Sequence, residues 1–344
     1  MNAVHTAQPP LGQAAFISAK AGWRTRPRPF SKETGRRMKV FVGVLLALAA
    51  AGGAELRSAW NLRDHIPLDQ VVVQSHRGAG ALSPENSLEA FDIAWKLGTV
   101  PEADLRMSRD GVIVAFHDND FQRILPDAPP DRRKQGVADL AWAELQQLDI
   151  GAWKGPDFAG QRIARMTDVY DILRRHPERK FYIDIKNVDL EQLARESKAV
   201  HKQLILASTK YDIIREWKRL APTSATLHWM GGTEAELAKR LADLEKTKFA
   251  DVTQLQIHVH TAKDGALTPS PQFLLDAGEQ LRRHGVVFQS LAWERKDPEI
   301  HWQLMDLGVA SFATDYPDLI MQAIRDYYAQ REGADSKPAI GPQR

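Results

Sequence analysis

The chain has 344 residues, 43% of them hydrophobic and 26% charged, a globular composition that supplies a sizeable core and argues against overall disorder. It contains no cysteine, which excludes disulfides, thiolate metal sites and a cysteine nucleophile. The formal net charge of +2 hides a basic leader: residues 1–38 carry seven Lys or Arg against one acidic residue, and the acidic remainder, near −4, argues against a nucleic-acid surface.

Residues 1–37 are rich in Ala, Pro, Arg and Gln without apolar periodicity, and are expected to be disordered or no part of the physiological protein. Arg36-Arg37-Met38-Lys39 then precede an apolar run, Val40 to Ala54, that is shorter than the ~20 residues of a bilayer span and ends in small residues. Residues 38–54 therefore read as a secretory signal peptide cleaved after Ala51 or Ala54, with Met38 as a natural start. The expectation is an exported protein, periplasmic or secreted, without stable membrane insertion once the signal is removed. An uncleaved N-terminal anchor is the alternative.

From Glu55 onward short apolar runs alternate with helix-patterned segments. Strands are expected over Val71–Ser75, Val100–Arg106 with a hairpin arm Val112–Phe116, Phe181–Ile185, Gln203–Ala207, Ala225–Trp229, Gln254–Val259, Val286–Leu291 and Ala310–Thr314. Helices are expected between them, among them Pro84–Lys96, Asp139–Leu148 with Asp168–Arg175, Asp189–His201, Glu234–Lys246, Pro271–His284 and Pro317–Tyr328. Several strands are continuous apolar runs, as in a parallel sheet covered on both faces. Eight such units over residues 55–332 predict a (β/α)8 TIM barrel with a small insertion, about 118–165, after the second strand. A doubly wound open sheet fits less well, because no Gly-rich phosphate loop follows the first strand. Residues 333–344 read as a disordered tail. Trp153 and Phe158 in the insertion either wall a pocket or pack the insertion onto the barrel.

Strand alternation points Glu102 and Asp104 the same way, and likewise Asp184 and Lys186. Charges turned inward are costly unless paired or metal-bound. Three carboxylates converging from neighbouring strand ends make a hard-oxygen site suited to Mg2+ or Ca2+, with Mn2+ also possible, and Lys186 beside it as a fixed positive charge. Singly, each pair also reads as an ion pair at the rim. His76 follows the first strand and His117 the hairpin arm, so both can face a substrate as general base and general acid. Arg77 can clamp phosphate oxygens. Glu85 and Asn86 either hydrogen-bond at the barrel mouth or begin the first helix, the capping role being the favoured reading, and Asp315 is expected to cap the last helix. Trp293 either covers the substrate or caps the barrel, and His228, His258 and His260 form a conceivable second metal site.

Together these segments carry an ordered set: H-R-G at His76, P-E-N-S at Pro84 to Ser87, E-x-D at Glu102 to Asp104, H-D at His117-Asp118, I-x-I-K at Ile183 to Lys186 and A-T-D-x-P at Ala313 to Pro317. The set resembles the glycerophosphodiester phosphodiesterase family, of the phospholipase-C-like phosphodiesterases. The resemblance implies a (β/α)8 barrel and metal-dependent cleavage of glycerophosphodiesters to glycerol 3-phosphate and an alcohol. It implies His76 and His117 as the acid/base pair, Arg77 on the phosphate, Glu102, Asp104 and Asp184 as metal ligands, and Lys186 near the leaving or bridging oxygen. Two departures stand out: Asp184 replaces the family's usual glutamate, and Ile163-Ala164-Arg165-Met166 stands where I-P-T-L is usual. Neither removes a required chemical group. The alternatives are a lipid head-group phosphodiesterase of the same fold, of phosphatidylinositol or sphingomyelin type, and a non-catalytic phosphodiester-binding protein.

Overall fold

Apolar strands that each feed a helix bury both faces most fully by closing on themselves, and this chain does so. The computed structural model describes residues 61–262 and 265–335; the leader, the expected signal peptide and the tail beyond Asp335 lie outside the described residues. The strands are β1 Val72–Ser75, β2 Val100–Met107, β3 Ile113–Ala115, β4 Phe181–Asn187, β5 Leu204–Ser208, β6 Ala225–Met230, β7 Gln254–Thr261, β8 Leu267–Thr268, β9 Val287–Ala292 and β10 Ser311–Thr314. All but β3 and β8 form the barrel, in parallel, and it closes where β1 pairs with both β10 and β2. The hairpin arm β3 lies antiparallel on β2, and β8 forms an unforeseen antiparallel arm on β7.

The helices that cover the barrel are α1 Leu88–Leu97, α2 Met166–Arg175, α3 Leu190–Glu196, α4 Tyr211–Leu220, α5 Glu234–Lys246, α6 Pro271–Arg283, α7 Pro298–Asp306 and α8 Pro317–Asp335. Their starts follow local chemistry: Ser87, Asp189, Thr233 and Ser270 side chains each accept a hydrogen bond from the first turn they cap. α1 therefore begins at Leu88, not Pro84, because Asn86 before the cap takes a left-handed φ of 58°. The expected helix over Asp139–Leu148 shrinks to a turn at Trp142–Leu145, and α8 runs on through the start of the expected tail. Among the described residues no helix is long and apolar enough to cross a membrane.

Three packing zones follow from strand alternation. Outward-facing Val73, Leu105, Ile183, Leu206, Ile257 and Phe312 pack with helix residues such as Phe91, Trp217, Leu281 and Ile324 in the main core. The insertion has a small core of its own built on Phe116, Phe121, Leu140, Ile150 and Ile163. Inside the barrel, Ile205, Ala207 and Leu227 sit with Tyr182. Most buried amides and hydroxyls there are paired, as burial demands. The Tyr182 hydroxyl donates to Gln254 at 2.7 Å, and the Gln289 amide donates to Ser311 at 2.9 Å.

Candidate active site

The loop Ser75 to Ala81 is shaped by close approach. Ser75 faces outward, its hydroxyl 2.6 Å from that of Thr99, so alternation turns Gln74 and His76 into the barrel. Arg77 and Gly78 both adopt positive φ, 53° and 106°, which turns the chain sharply over the barrel mouth. At Gly80, with φ 57°, an added Cβ would lie 2.2 Å from the Asp315 carbonyl oxygen. That oxygen accepts from the Ala81 N–H at 2.7 Å. The tight seam carries Asp315, at the end of β10, to the His76 imidazole: Nδ1 and Oδ1 are 2.7 Å apart. Burial pulls the His76 pKa down, but the Asp315 hydrogen bond and the Glu102 and Asp315 charges outweigh it and leave it raised above 6.5.

The second histidine has the same arrangement. His117 Nδ1 lies 2.7 Å from Asp118 Oδ1, and its carbonyl accepts from the Arg106 guanidinium at 2.7 Å. Asp118 also accepts from Arg123, from the insertion, at 2.8 Å. Arg123 donates as well to both oxygens of Glu85, at 2.7 and 2.8 Å, and Glu85 accepts from Arg77 at 3.2 Å. Glu85, His117 and Asp118 offer ligand atoms close enough for a metal ion, but the Arg123 fork already spans the two carboxylates.

The carboxylates come from strand register. β2 and β4 pair Asp104 directly with Asp184, and Glu102 lies one pleat earlier on β2. One oxygen from each of the three lies within 4.8 Å of the others. Lys186 Nζ bridges Asp104 at 3.1 Å and Asp184 at 2.8 Å. Asn86 fixes Asp104 from the other side, accepting its backbone N–H at 3.0 Å and donating to its carboxylate at 3.1 Å. Glu102 accepts the Arg77 backbone N–H at 2.7 Å. Burial, with Asp104 and Asp184 adding to it, still pushes the Glu102 pKa up to about 8. Burial also raises Asp184 against Lys186, whereas Asp104 is lowered because Lys186, His117 and Arg77 together outweigh its burial. Buried carboxylates thus crowd beyond what their cationic partners neutralise, and an all-oxygen donor set with this excess of negative charge fits a hard divalent cation.

One pocket gathers His76, Arg77, Glu102, His117, Asp184 and Lys186 on one side, with Trp229, His258 and Trp293 on the other. Asp104 lies just beneath, nearly fully buried. The Trp229 and His258 rings stack 5.1 Å apart, and Trp293 meets His258 and His76 edge-on. Burial holds the His258 pKa near about 4, with His260 and His76 adding to the effect. All eight site residues expected from the sequence thus meet at one barrel end.

The capping expectations are corrected, and the readings left open are narrowed. Glu85 and Asn86 do not cap α1; they brace Arg77 and Asp104. Asp315 orients His76. His228 donates from Nδ1 to the Ser208 carbonyl at 3.1 Å, and among the described residues the three histidines form no metal cluster. Trp153 and Phe158 do not line the pocket: Trp153 donates to the Ile150 carbonyl and packs under Arg123. Trp229 and Gln74 were not anticipated as lining, although both lie on the inward pleat of strands already recognised.

A model of the glycerophosphoryl diester phosphodiesterase family matches residues 76–319. The chain is similar to a glycerophosphodiester phosphodiesterase of Bacillus subtilis (strain 168), 23% identical over 284 residues that span 75% of this chain and 88% of the relative. In fold it is similar to a glycerophosphodiester phosphodiesterase from Agrobacterium tumefaciens, at 22% identity and a TM-score of 0.58, covering 73% of this chain and 99% of the other. It is also similar to an Oleispira antarctica phosphodiesterase solved with the product sn-glycerol-3-phosphate, at 24% identity and a TM-score of 0.57, covering 74% and 96%. Since the family match runs from the histidine that follows β1 to the first turn of α8, the chain belongs to the glycerophosphoryl diester phosphodiesterase family.

Proposed function

We propose that the protein hydrolyses glycerophosphodiesters to sn-glycerol 3-phosphate and an alcohol, with His76 and His117 as the acid/base pair. The observation that carries this reading is the paired dyad: each imidazole has Nδ1 tied to a carboxylate, at 2.7 Å in both cases, and both rings line a pocket edged by Arg77 and Lys186. With Nδ1–H donated to Asp315 or Asp118, each ring keeps Nε2 for the reaction. One Nε2 takes the proton of the attacking hydroxyl, from water or the neighbouring glycerol carbon, as its oxygen bonds to phosphorus. The other gives a proton to the alcohol oxygen as its bond to phosphorus breaks. Arg77 and Lys186 hold the non-bridging oxygens. Glu102, Asp104 and Asp184 would hold a divalent ion, Mg2+ or Ca2+, which supplies positive charge against the phosphoryl oxygens as negative charge accumulates.

The test uses the chain from Glu55, stripped with EDTA and incubated with glycerophosphocholine or glycerophosphoethanolamine. Release of sn-glycerol 3-phosphate that returns with Mg2+ or Ca2+ and disappears in His76→Ala and His117→Ala is the expected result. No release with any ion, from protein that still binds glycerophosphocholine, would replace this reading with a binding function. The same reading puts the enzyme outside the cytoplasm, since residues 38–54 have the form of a signal peptide. N-terminal sequencing of the mature protein is expected to start after Ala51 or Ala54; a start at Met1 or Met38 would favour the anchored form.

A further inference from the structure

Gln74 is the exception inside the barrel. Gln254, Gln256, Gln289, Tyr182 and Ser311 are all hydrogen-bonded to one another there. Gln74 is 5% exposed, and its Oε1 is buried without a hydrogen-bond partner. It lies two residues before His76 on the same face of β1, one pleat deeper, and lines the pocket floor. Its neighbours in register are Val100 on β2 and Ala313 on β10. Neither offers a donor, and the small Ala313 side chain leaves the floor open beside the amide. A buried acceptor is retained unpaired at a cost unless something enters the pocket to complete it.

We propose that Gln74 is a specificity-determining residue: its amide accepts a hydrogen bond from a hydroxyl of the substrate's glycerol moiety, so that the site selects hydroxylated phosphoesters over plain alkyl ones. The proposal rests on the phosphodiesterase reading for the phosphate's position next to His76. A phosphate held between the two histidines and Arg77 leaves its carbon chain to descend past His76, toward the floor. There the lining is apolar Ala207, Leu227 and Leu291 together with Gln256, whose amide is already paired with Gln289 and His258, and Gln74 is the acceptor that is still free. A pocket that reads a hydroxyl through an otherwise unpaired group rejects the analogue lacking it strongly, because the empty acceptor is then sealed off from water.

Calorimetric titration with sn-glycerol 3-phosphate and with propyl phosphate, its hydroxyl-free counterpart, tests this in the presence of Mg2+. Wild type is expected to prefer sn-glycerol 3-phosphate by at least about tenfold, a preference that falls to roughly twofold in Gln74→Met while propyl phosphate binding stays within about twofold. Gln74→Leu serves the same purpose if the methionine variant fails to fold. A wild type without preference, or variants that keep it because a water alone meets the amide, would overturn the proposal. So would an equal loss for both ligands, which marks Gln74 as floor packing. Turnover of glycerophosphocholine by wild type, followed in parallel, tests the catalytic reading separately: preference without turnover would sink that reading and leave this one standing.

Discussion

Replacing Asp315 by asparagine keeps the side-chain shape against the His76 ring and removes its charge. The contact is short, 2.7 Å, and about a third of the Asp315 side chain meets solvent. A charge-assisted hydrogen bond is about twice as strong as a neutral one, so the substitution removes roughly 1 to 1.5 kcal/mol of preference for the His76 imidazolium. That lowers the His76 pKa. The amide has a second effect: its NH2, turned toward Nδ1, would favour the tautomer with the proton on Nε2, where the phosphate is to be met, and a wrong tautomer in a histidine–carboxylate pair costs up to about 10⁴ in rate. Asp315→Asn is therefore expected to lose at least about 30-fold in kcat, with KM within about threefold. The ionisation assigned to His76 should move to lower pH, since loss of the carboxylate destabilises the protonated ring. The assay is release of sn-glycerol 3-phosphate from glycerophosphocholine between about pH 5 and 9, with thermal melting as the folding control. A variant within twofold of wild type, with an unmoved pH profile and an unchanged Tm, would refute the orienting role.

The crowding of Glu102, Asp104 and Asp184 predicts that Mg2+ or Ca2+ raises the Tm of EDTA-treated protein, by the equivalent of about 2.7 kcal/mol at a hundred times its Kd. Glu102→Gln should lose most of that gain, and a wild type indifferent to both ions would remove the metal assignment. Gly80→Ala should cost at least about 2 kcal/mol, because the new methyl would meet the Asp315 carbonyl as well as adopt a left-handed backbone. Gly111→Ala, also at positive φ but with open space around the added carbon, should cost about 1 to 2 kcal/mol from the backbone alone; equal losses in urea unfolding would contradict the seam. His228 is buried and its pKa is pushed down from 6.5 to about 4, mainly by desolvation and further by Arg240. Its depressed pKa contributes stability that is fully present above pH 6.5 and is lost as the pH falls through 4. Between pH 7.5 and 4.5 wild type should lose about 2 to 3 kcal/mol more than His228→Asn, which keeps a donor for the Ser208 carbonyl; parallel losses would argue against a buried neutral histidine.

What could be read from the sequence is what depends on local pattern. Alternation along β2 and β4 is a property of consecutive residues, so Glu102, Asp104 and Asp184 could be aimed at one site before any coordinates. Their exact neighbours could not, because Asn86 reaches Asp104 only through a left-handed backbone position between a proline and a helix cap. Asp315 lies 239 residues from His76, and a residue just before a helix already has a sufficient local explanation as a cap. The barrel's closing register pairs Ser75 with Thr314, which makes the residues that follow each strand neighbours. Gln74 was invisible for the opposite reason: a single amide in an apolar strand looks like noise until the other glutamines inside the barrel are seen to have partners.

The insertion poses a different problem, since its length marked it out but its contribution is cationic and not aromatic. Arg123 rests 5.3 Å over the Trp153 ring and spends its donors on Glu85 and Asp118, the carboxylates that hold Arg77 and His117. Lys154 donates to the Gly80 and Ser83 carbonyls, at 3.3 and 2.6 Å, on the loop that carries His76 and Arg77. Each half-exposed ion pair is worth about 1 kcal/mol or less, so the insertion adds little to stability through them. Their effect is geometric, because two elements that meet nowhere else in the sequence are tied through one guanidinium. The barrel register thus sets the carboxylates that would hold a metal ion, and the insertion sets the angle of the groups that would grip and protonate the phosphate. A relative with the same strands and a different insertion would keep the first set and re-aim the second, a route by which one barrel can change the ester it accepts without changing where the metal sits.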